Sequence, residues 1–283
     1  MQIIKDIETF QAYRTALFGT GNMIGLVPTM GALHEGHLAL VEKAMETCDK
    51  VIVTIFVNPA QFNHKEDLDS YPRTVKEDLN MLTQFEVDAI FIPELDEVYP
   101  DDPTISFHLG KMADSLEGHY RPGHFSGVAL IVAKLFNIVQ PNKAFFGQKD
   151  LQQLQIIKQM VRELSYPIEI VAVSTVRDQE GLALSSRNQR LSTKGIQIAR
   201  NISTILEKGA ELLRKRENPN VILQLLRDQS KDTEGLDLEY LEIVDPKVMQ
   251  PVQNYKDLPN VAICVAAYVE ETRLIDNIMI SLD

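Results

Sequence analysis

Apolar positions between residues 23 and 173 form short runs that alternate with longer amphipathic segments. The run Val51–Val57 is rich in β-branched and aromatic residues and predicts a buried strand that ends at Asn58-Pro59. From about Gly36, a helical pattern places Leu38, Leu40, Val41 and Met45 on one buried face. The other strands are predicted at Met23–Val27, Val87–Ile92, Ala144–Phe146 and Ile168–Val173, and the other helices at Thr74–Phe85, Ser126–Val139 and Asp150–Leu164. This order predicts an α/β fold, a Rossmann-like doubly wound parallel sheet with helices on both faces.

The pattern changes after about residue 176. Helical spacing extends from Ser192 to about Arg216 and again from Asn220 to Ser230. Three strands are predicted after it, at Leu236–Val244, Val261–Val269 and Arg273–Ser281. Helices followed by a run of strands are typical of an α+β domain. We therefore expect a Rossmann-like nucleotide-binding domain over residues 1–176 and a smaller C-terminal α+β domain over residues 177–283.

The composition is typical of a globular protein and disfavours several other classes. With 45% hydrophobic and 24% charged residues, the 283-residue chain can bury a substantial core. Its net charge of −12 disfavours a nucleic-acid partner, because such proteins need a basic surface. No signal-peptide core and no bilayer-length apolar stretch is present, and Cys48 and Cys264 form no metal-type or redox-type pair. We expect a cytoplasmic protein with no membrane partner.

The segment Pro28–Leu38, PTMGALHEGHL, lies between the first predicted strand and helix, where open α/β sheets bind ligands. The helix N-terminus offers N–H groups to an anion, and Gly36 allows a phosphate chain to approach the backbone. His34 and His37 can donate hydrogen bonds to charge that develops on phosphate. A turn histidine and a capping histidine are the alternative, which the position after a buried strand disfavours. Zinc is disfavoured because no further ligands lie at suitable spacing.

A second candidate turn is Gly147–Asp150, which follows a predicted strand and opens a predicted helix. Lys149 would place a point charge on phosphate there. Asp150 and Gln153 equally fit a helix cap that needs no ligand.

A third candidate is the loop Gly181–Asn188 at the start of the predicted second domain. Its adjacent hydroxyls, Ser185 and Ser186, with the Arg187 guanidinium make a candidate phosphate clamp. A polar linker is the alternative, and the two other phosphate-type turns favour the clamp.

Six segments in chain order carry a family resemblance: PTMGALHEGH, VTIFVNPAQF, YPRT, GHYRPGHFSGV, FFGQKDLQQ and GLALSSRN. The chain resembles the pantothenate synthetases (pantoate–β-alanine ligases) of the nucleotidyltransferase superfamily, which shares a HIGH-type motif with class I aminoacyl-tRNA synthetases. These motifs extend from about residue 28 to 190, and the remainder matches by length and character. SSRN stands where the wider superfamily has KMSKS, so the lysine role would fall to Arg187.

The resemblance implies that the chain joins pantoate to β-alanine in two steps through pantoyl adenylate, with ATP and Mg²⁺. The implied catalytic residues are His37, as the acid-type donor to departing pyrophosphate, His34, Lys149 and Arg187. The implied ATP-binding residues are Met30, Gly31, Ala32, Leu33, His34, Glu35, Gly36, His37, Gly147, Gln148, Lys149, Asp150, Val176, Leu184, Ser185, Ser186 and Arg187. The implied substrate-binding residues are Gln61 and Gln153 for pantoate, Gln61 also for β-alanine, and Thr29 and Asn58 beside them.

The resemblance also implies a homodimer. It assigns no protein ligand to Mg²⁺: Glu77 and Asp78 are either outer contacts or an acidic pair in a first helical turn. Arg121, His119 and His124 could belong to a substrate wall or a dimer contact, and His64 and His108 are expected in loops. The alternative functions are another small-molecule nucleotidyltransferase with a different acceptor, a fragment of an aminoacyl-tRNA synthetase, and a catalytically silent nucleotide-binding module.

Overall fold

A computed structural model describes residues 1–18, 21–63 and 65–282, without the side chain of Phe18; His64 lies outside the described residues. The strands are β1 (Gln2–Ile4), β2 (Ile24–Thr29), β3 (Lys50–Ile55), β4 (Ala89–Phe91), β5 (Lys143–Gly147), β6 (Glu169–Val173), β7 (Leu236–Asp245), β8 (Gln250–Pro251), β9 (Asn260–Val269) and β10 (Thr272–Ser281). The helices are α1 (Ile7–Phe18), α2 (Glu35–Thr47), α3 (Lys65–Asp69), α4 (Val75–Leu82), α5 (Leu95–Val98), α6 (Glu117–Tyr120), α7 (His124–Val139), α8 (Leu151–Glu163), α9 (Thr193–Ala199), α10 (Asn201–Arg214) and α11 (Pro219–Lys231).

The chain divides into two compact units. The first unit comprises Met1–Gly110, Arg121–Gln148 and Ile156–Ser174, and the second comprises Lys111–Tyr120, Lys149–Gln155 and Thr175–Asp283. The single boundary at residues 176/177 stays a prediction.

The first unit contains a six-stranded parallel sheet in the order β1-β4-β3-β2-β5-β6. Strand order reverses between β2 and β5, and right-handed crossovers then place α2 and α4 on one face and α7 on the other. The predicted α/β fold with a parallel sheet is therefore confirmed. A reversal of this kind leaves a crevice at the carboxyl ends of β2 and β5.

One core of this unit lies between the sheet and α2. Leu38, Leu40, Val41 and Ala44 are buried against apolar strand residues such as Val53. Met45, predicted on the buried face, is 36% exposed, because Ala44 one position earlier takes the core side of the last turn.

The second unit contains a four-stranded antiparallel sheet in the order β10-β9-β7-β8. Apolar residues of α9, α10 and α11 form one core with this sheet. The helix α10 packs closely on this sheet at Gly209, where an added Cβ would lie 2.4 Å from Ile263 Cδ1 and would force that side chain to move. The smaller α+β domain is confirmed, whereas the single predicted helix from Ser192 to Arg216 is two helices that meet at Arg200.

Several short elements were not predicted: β1, β8, α1, α3, α5 and α6. Most of them span five residues or fewer, which is too short for a hydrophobic periodicity to be detected. The longer α1 buries little besides Phe10, so it lacks an apolar face. The Thr74-x-x-Glu77 pattern, which is typical of a capping box, does not form one at the start of α4. Thr74 makes no side-chain cap, and its hydroxyl donates instead to the buried Asp78 carboxylate at 3.2 Å.

Among the described residues, no helix is long and apolar enough to cross a membrane.

Candidate active site

The loop between β2 and α2 has an unusual backbone that a distant carboxylate holds. Gly31 and Ala32 both have positive φ, at 80° and 49°, a region that side chains with a Cβ rarely adopt. Asp78 Oδ2 accepts from the Ala32 N–H at 3.1 Å and Asp78 Oδ1 from the Leu33 N–H at 2.8 Å. Asp78 is only 1% exposed, so these bonds satisfy a buried anion. The carboxylate therefore determines how the chain enters α2.

His34 and His37 cap the first turn of α2 reciprocally. The Gly36 N–H donates to His34 Nδ1 at 3.1 Å, and the His34 N–H donates to His37 Nδ1 at 3.3 Å. The two rings lie 4.1 Å apart between centroids. Because Nδ1 accepts a hydrogen bond in both, the proton of each neutral ring sits on Nε2. Both histidines therefore cap the helix, whereas the alternative interpretation had one turn histidine and one capping histidine, and each neutral ring carries its proton on Nε2.

Gly36 is required by the histidine cap itself. A Cβ at this position would lie 2.8 Å from His34 Cε1 and 2.9 Å from His34 Nδ1. A side chain at residue 36 would therefore displace the His34 ring.

Gln61 and Asn58 lie in a buried turn after β3. Gln61 Nε2 donates to the Met30 sulfur at 3.0 Å, and its Oε1 accepts from Asn58 Nδ2 at 3.1 Å. Asn58 is 1% exposed and also bonds the Gly127 carbonyl and the Tyr99 hydroxyl. Burial raises the pKa of Tyr99 to about 12, so its hydroxyl stays protonated and donates to Asn58. These contacts make Asn58 a positioning residue for Gln61, and its contact with a substrate remains a prediction.

Thr29 ends β2 beside this loop. Its hydroxyl donates to the Thr54 carbonyl at 2.7 Å and accepts from the Gly31 N–H at 3.2 Å. Gly147 ends β5, the strand next to β2 in the sheet, and Gln148 follows it. The loops after these two strands therefore lie at the same edge, at the reversal of strand order. The first unit thus brings Thr29–His37, Asn58 and Gln61 together, with Gly147 and Gln148 on the adjacent strand end.

Lys149, Asp150 and Gln153 belong to the second unit. Lys149 Nζ lies 4.0 Å from Asp150 Oδ1, and the Lys149 side chain is 18% exposed. The Lys149 carbonyl accepts from Asn277 Nδ2 at 2.7 Å, which fixes its backbone on β10. Gln153 is half-buried in the first turn of α8, and its predicted role stays a prediction.

Val176 and Leu184 are the ends of a narrow hairpin in the second unit. The Leu184 N–H donates to the Val176 carbonyl at 2.9 Å, and Gly181 turns the chain with a φ of 92°. Arg177 pairs with Asp276 at 2.6 Å and anchors the hairpin to β10.

The loop of Ser185, Ser186 and Arg187 continues from this hairpin. The Ser185 hydroxyl accepts from the Arg187 N–H at 3.3 Å and caps a short 3₁₀ helix, Ser186–Arg190. Asn188 Nδ2 donates to the Ala183 carbonyl at 3.0 Å. Ser186 is buried, while Ser185 and Arg187 are half-buried. The predicted clamp is therefore a locally capped loop, and its contact with phosphate stays a prediction.

Sequence reasoning missed the residues that hold the candidate site from a distance. The sequence leaves Asp78 between an outer Mg²⁺ contact and an acid of a first helical turn, and His124 between a substrate wall and a dimer contact. No sequence pattern singles out Tyr99 or Gln152. Gln152, which precedes Gln153 in α8, is 4% exposed; its Oε1 accepts from the Glu117 N–H, and its Nε2 donates to the carbonyls of Met112 and Ser115. A polar side chain inside an apolar helical pattern is the signal that could have found Asp78.

Comparison with known proteins decides the family. The family model for pantoate–β-alanine ligase matches residues 2–279. The chain belongs to the pantoate–β-alanine ligase family. The pantothenate synthetase of Porphyromonas gingivalis W83 is 43% identical over 278 residues, which cover 98% of this chain and 99% of that protein. That of Bacteroides thetaiotaomicron is 44% identical and covers 98% of each chain.

Solved structures of the pantoate–β-alanine ligase family have the same fold. Pantothenate synthetase from Thermus thermophilus superposes with a TM-score of 0.91 at 37% identity, over 98% of this chain and 99% of that one. A pantoate–β-alanine ligase from Francisella tularensis, crystallised with β-γ ATP and β-alanine, gives a TM-score of 0.84 at 38% identity. That match covers 99% of this chain and 97% of the other. The resemblance found in six sequence segments therefore extends over nearly the whole chain.

Proposed function

We propose that this chain condenses pantoate with β-alanine to form pantothenate, converting ATP to AMP and pyrophosphate. The observation that carries the proposal is the family match over residues 2–279, supported by the histidine pair that caps α2 beside the strand reversal. A carboxylic acid and an amine do not condense readily in water, so the acid must first be activated. ATP is the activating substrate in this proposal.

The reaction proceeds in two steps. A pantoate carboxylate oxygen attacks the α-phosphorus of ATP, a new P–O bond forms, and the bond from that phosphorus to the bridging oxygen breaks. Pyrophosphate leaves, and pantoyl adenylate remains. The β-alanine nitrogen then attacks the acyl carbon, a C–N bond forms, the C–O bond to AMP breaks, and the nitrogen loses a proton.

His37 and His34 donate Nε2–H hydrogen bonds to the phosphate oxygens that gain charge as pyrophosphate leaves. The tautomer set by their reciprocal capping supports this role, because both outer nitrogens carry a proton. Lys149 and Arg187 supply positive charge to the same phosphate oxygens. This charge stabilises the transition state, in which the α-phosphorus is five-coordinate and negative charge builds up on its oxygens.

The remaining residues bind substrates. ATP contacts Met30–His37, Gly147–Asp150, Val176 and Leu184–Arg187. Pantoate lies against Gln61 and Gln153, with Thr29 and Asn58 supporting the first of these. The buried bonds of Gln61 to Met30 and Asn58 support this role, because a carboxamide held on both sides presents fixed geometry to a ligand.

The residues that the structure describes do not fit a metal site of their own. Among the described residues there is no group of three or more His, Cys, Asp or Glu side chains that could hold a metal ion. Asp78 already accepts two backbone N–H groups, and Glu77 is exposed on α4. We propose that Mg²⁺ arrives bound to ATP, since phosphate oxygens and water are ligands that it prefers.

We also propose that the protein works in the cytoplasm as a homodimer. Family membership supports both statements. Analytical ultracentrifugation at micromolar concentration measures the dimer directly, and a monomer there contradicts it.

Isotope exchange between pyrophosphate and ATP tests the function. Exchange is expected only when pantoate is added, because pantoate must accept the adenylyl group before pyrophosphate can return. Pantothenate is expected only when β-alanine follows. Exchange that depends on a different acceptor, and not on pantoate, would assign the chain to another nucleotidyltransferase activity.

A further inference from the structure

A buried histidine that the proposed reaction does not use contacts the backbone of Gln61. His124 begins α7 and is 6% exposed. Its Nδ1 lies 2.8 Å from the Gln61 carbonyl oxygen, and its Nε2 lies 3.2 Å from Arg121 Nη1. The side chain therefore bridges a guanidinium and the turn that holds a proposed substrate residue.

The two partners determine the protonation of this ring. A carbonyl oxygen can only accept, so His124 Nδ1 carries the proton and donates. A guanidinium can only donate, so His124 Nε2 accepts. His124 is therefore the Nδ1–H tautomer, opposite to the Nε2–H tautomer of His34 and His37.

The first turn of α7 is fitted closely to the turn of Gln61. A Cβ on Gly127 would lie 2.0 Å from the Ala60 carbonyl oxygen, so only glycine allows this approach. Asn58 Nδ2 donates to the Gly127 carbonyl at 3.1 Å and to Gln61 Oε1 at the same distance. Asn58 thus orients the Gln61 side chain, while His124 orients the Gln61 peptide.

We propose that His124 is a positioning residue for the carboxylate substrates and acts through Gln61. Its Nδ1–H fixes the Gln61 carbonyl, and through it the direction of the carboxamide. Its Nε2 holds Arg121, a cation, beside the same turn. The inference rests on the proposed function, because it assigns His124 a role in binding the substrates of that reaction.

Two variants distinguish the roles of the two ring nitrogens of His124. In His124→Asn, the amide nitrogen occupies the place of Nδ1 and can still donate to the Gln61 carbonyl. In His124→Gln, the amide reaches the place of Nε2 and the bond to Gln61 is lost. We expect His124→Gln to raise KM for pantoate about tenfold or more, the effect of one lost hydrogen bond, with KM for ATP changed by less than about twofold. His124→Asn should stay within about twofold of the parent for both.

Exposed His108 supplies the matched control, and His108→Asn should leave both KM values unchanged. Circular dichroism and melting temperature report whether each variant folds. Equal effects of His124→Gln on pantoate and ATP, or no effect on either in a folded variant, would overturn the proposal.

A second measurement stays valid if the variants do not fold or if the parent shows no pantoate-dependent exchange. Long-range ¹H–¹⁵N spectra of the parent protein identify which ring nitrogen of each histidine is protonated. The proposal requires His124 protonated on Nδ1 while His34 and His37 are protonated on Nε2. An Nε2–H tautomer at His124 would overturn it. Absence of exchange in the parent would instead contradict the proposed function alone.

Discussion

The Asp78 carboxylate and the Leu33 backbone N–H are joined by a 2.8 Å hydrogen bond across 45 residues of sequence. A second bond joins Asp78 to Ala32 at 3.1 Å, in the loop where two consecutive residues have positive φ. Neither oxygen of the carboxylate faces solvent. The conformation of the loop ahead of the histidine pair therefore depends on a residue of α4.

Replacing Asp78 by asparagine should lower adenylation and destabilise the fold. An amide has one accepting oxygen, so its NH₂ group must face one of two N–H donors in either orientation. We expect a loss of stability of about 1–3 kcal/mol, the cost of a buried unsatisfied donor. Pyrophosphate–ATP exchange should fall about tenfold or more, because the histidines lose their alignment. Denaturant titration and the exchange assay measure the two effects.

Glu77→Gln is the matched control for Asp78, since Glu77 is the adjacent acid of the same helix and is exposed. Full activity is expected for it. Recovery of Asp78→Asn by excess Mg²⁺ would indicate a metal contact for Asp78 rather than the backbone role.

The sequence correctly predicts the elements that depend on the local pattern of apolar and turn-forming residues. The strands β2, β3 and β5 and the loops after them follow from apolar runs bounded by proline and glycine, and these place His34, His37 and Gly147 at one sheet edge. These features depend on residues that are close together in the sequence, so they can be predicted from one sequence alone.

What the sequence could not predict depends on partners far apart in the chain. Asp78 reaches back 45 residues to Leu33, and His124 reaches 63 residues to Gln61. Asp78 occupies a position where an acid normally stabilises a helix start, so its residue type does not reveal its role. Its place in the apolar pattern of α4 could have indicated burial, but its partners in the Leu33 loop are visible only in the structure. The short helices of five residues or fewer carry no period at all.

The stability of the second unit should fall in acid partly through Asp178. Burial raises the pKa of Asp178, but bonds from Arg200 and from the N–H groups of Leu182 and Glu180 outweigh it and hold the pKa below its usual value. A carboxyl with a depressed pKa stabilises the fold above its ordinary pKa, and this contribution disappears as pH falls from about 4 through the folded value.

Asp178→Asn should therefore lower the free energy of unfolding at pH 7, and the difference from the parent should shrink below about pH 4. Urea titrations across this range measure the difference. Asp237→Asn, at an exposed position on β7, serves as the control and should show no such pH-dependent gap. If the difference in free energy of unfolding stayed constant with pH, the effect of the Asp178 substitution would come from altered hydrogen bonding or packing and not from the lost charge.

Lys149 should act through its charge alone. Its backbone carbonyl is held by Asn277 at 2.7 Å, so removal of the ammonium leaves the main chain in place. Lys149→Met is expected to reduce pyrophosphate–ATP exchange about a hundredfold, with the melting temperature close to that of the parent. Lys158→Met, on the helix α8 that follows, should retain activity. Unchanged exchange in folded Lys149→Met would remove Lys149 from the catalytic residues.

Gly36→Ala tests whether the histidine cap is the working geometry of the site. The added methyl would lie 2.8 Å from His34 Cε1, closer than non-bonded carbon atoms approach, so the ring must leave its position on the Gly36 N–H. Alanine favours a helix more than glycine by about 1 kcal/mol, which opposes any general loss of stability. We expect exchange to drop about tenfold or more in a protein that melts near the parent temperature. The exposed Glu46→Ala, in the same helix, is the control for helix stability. An active Gly36→Ala variant would mean that catalysis does not depend on the His34 cap.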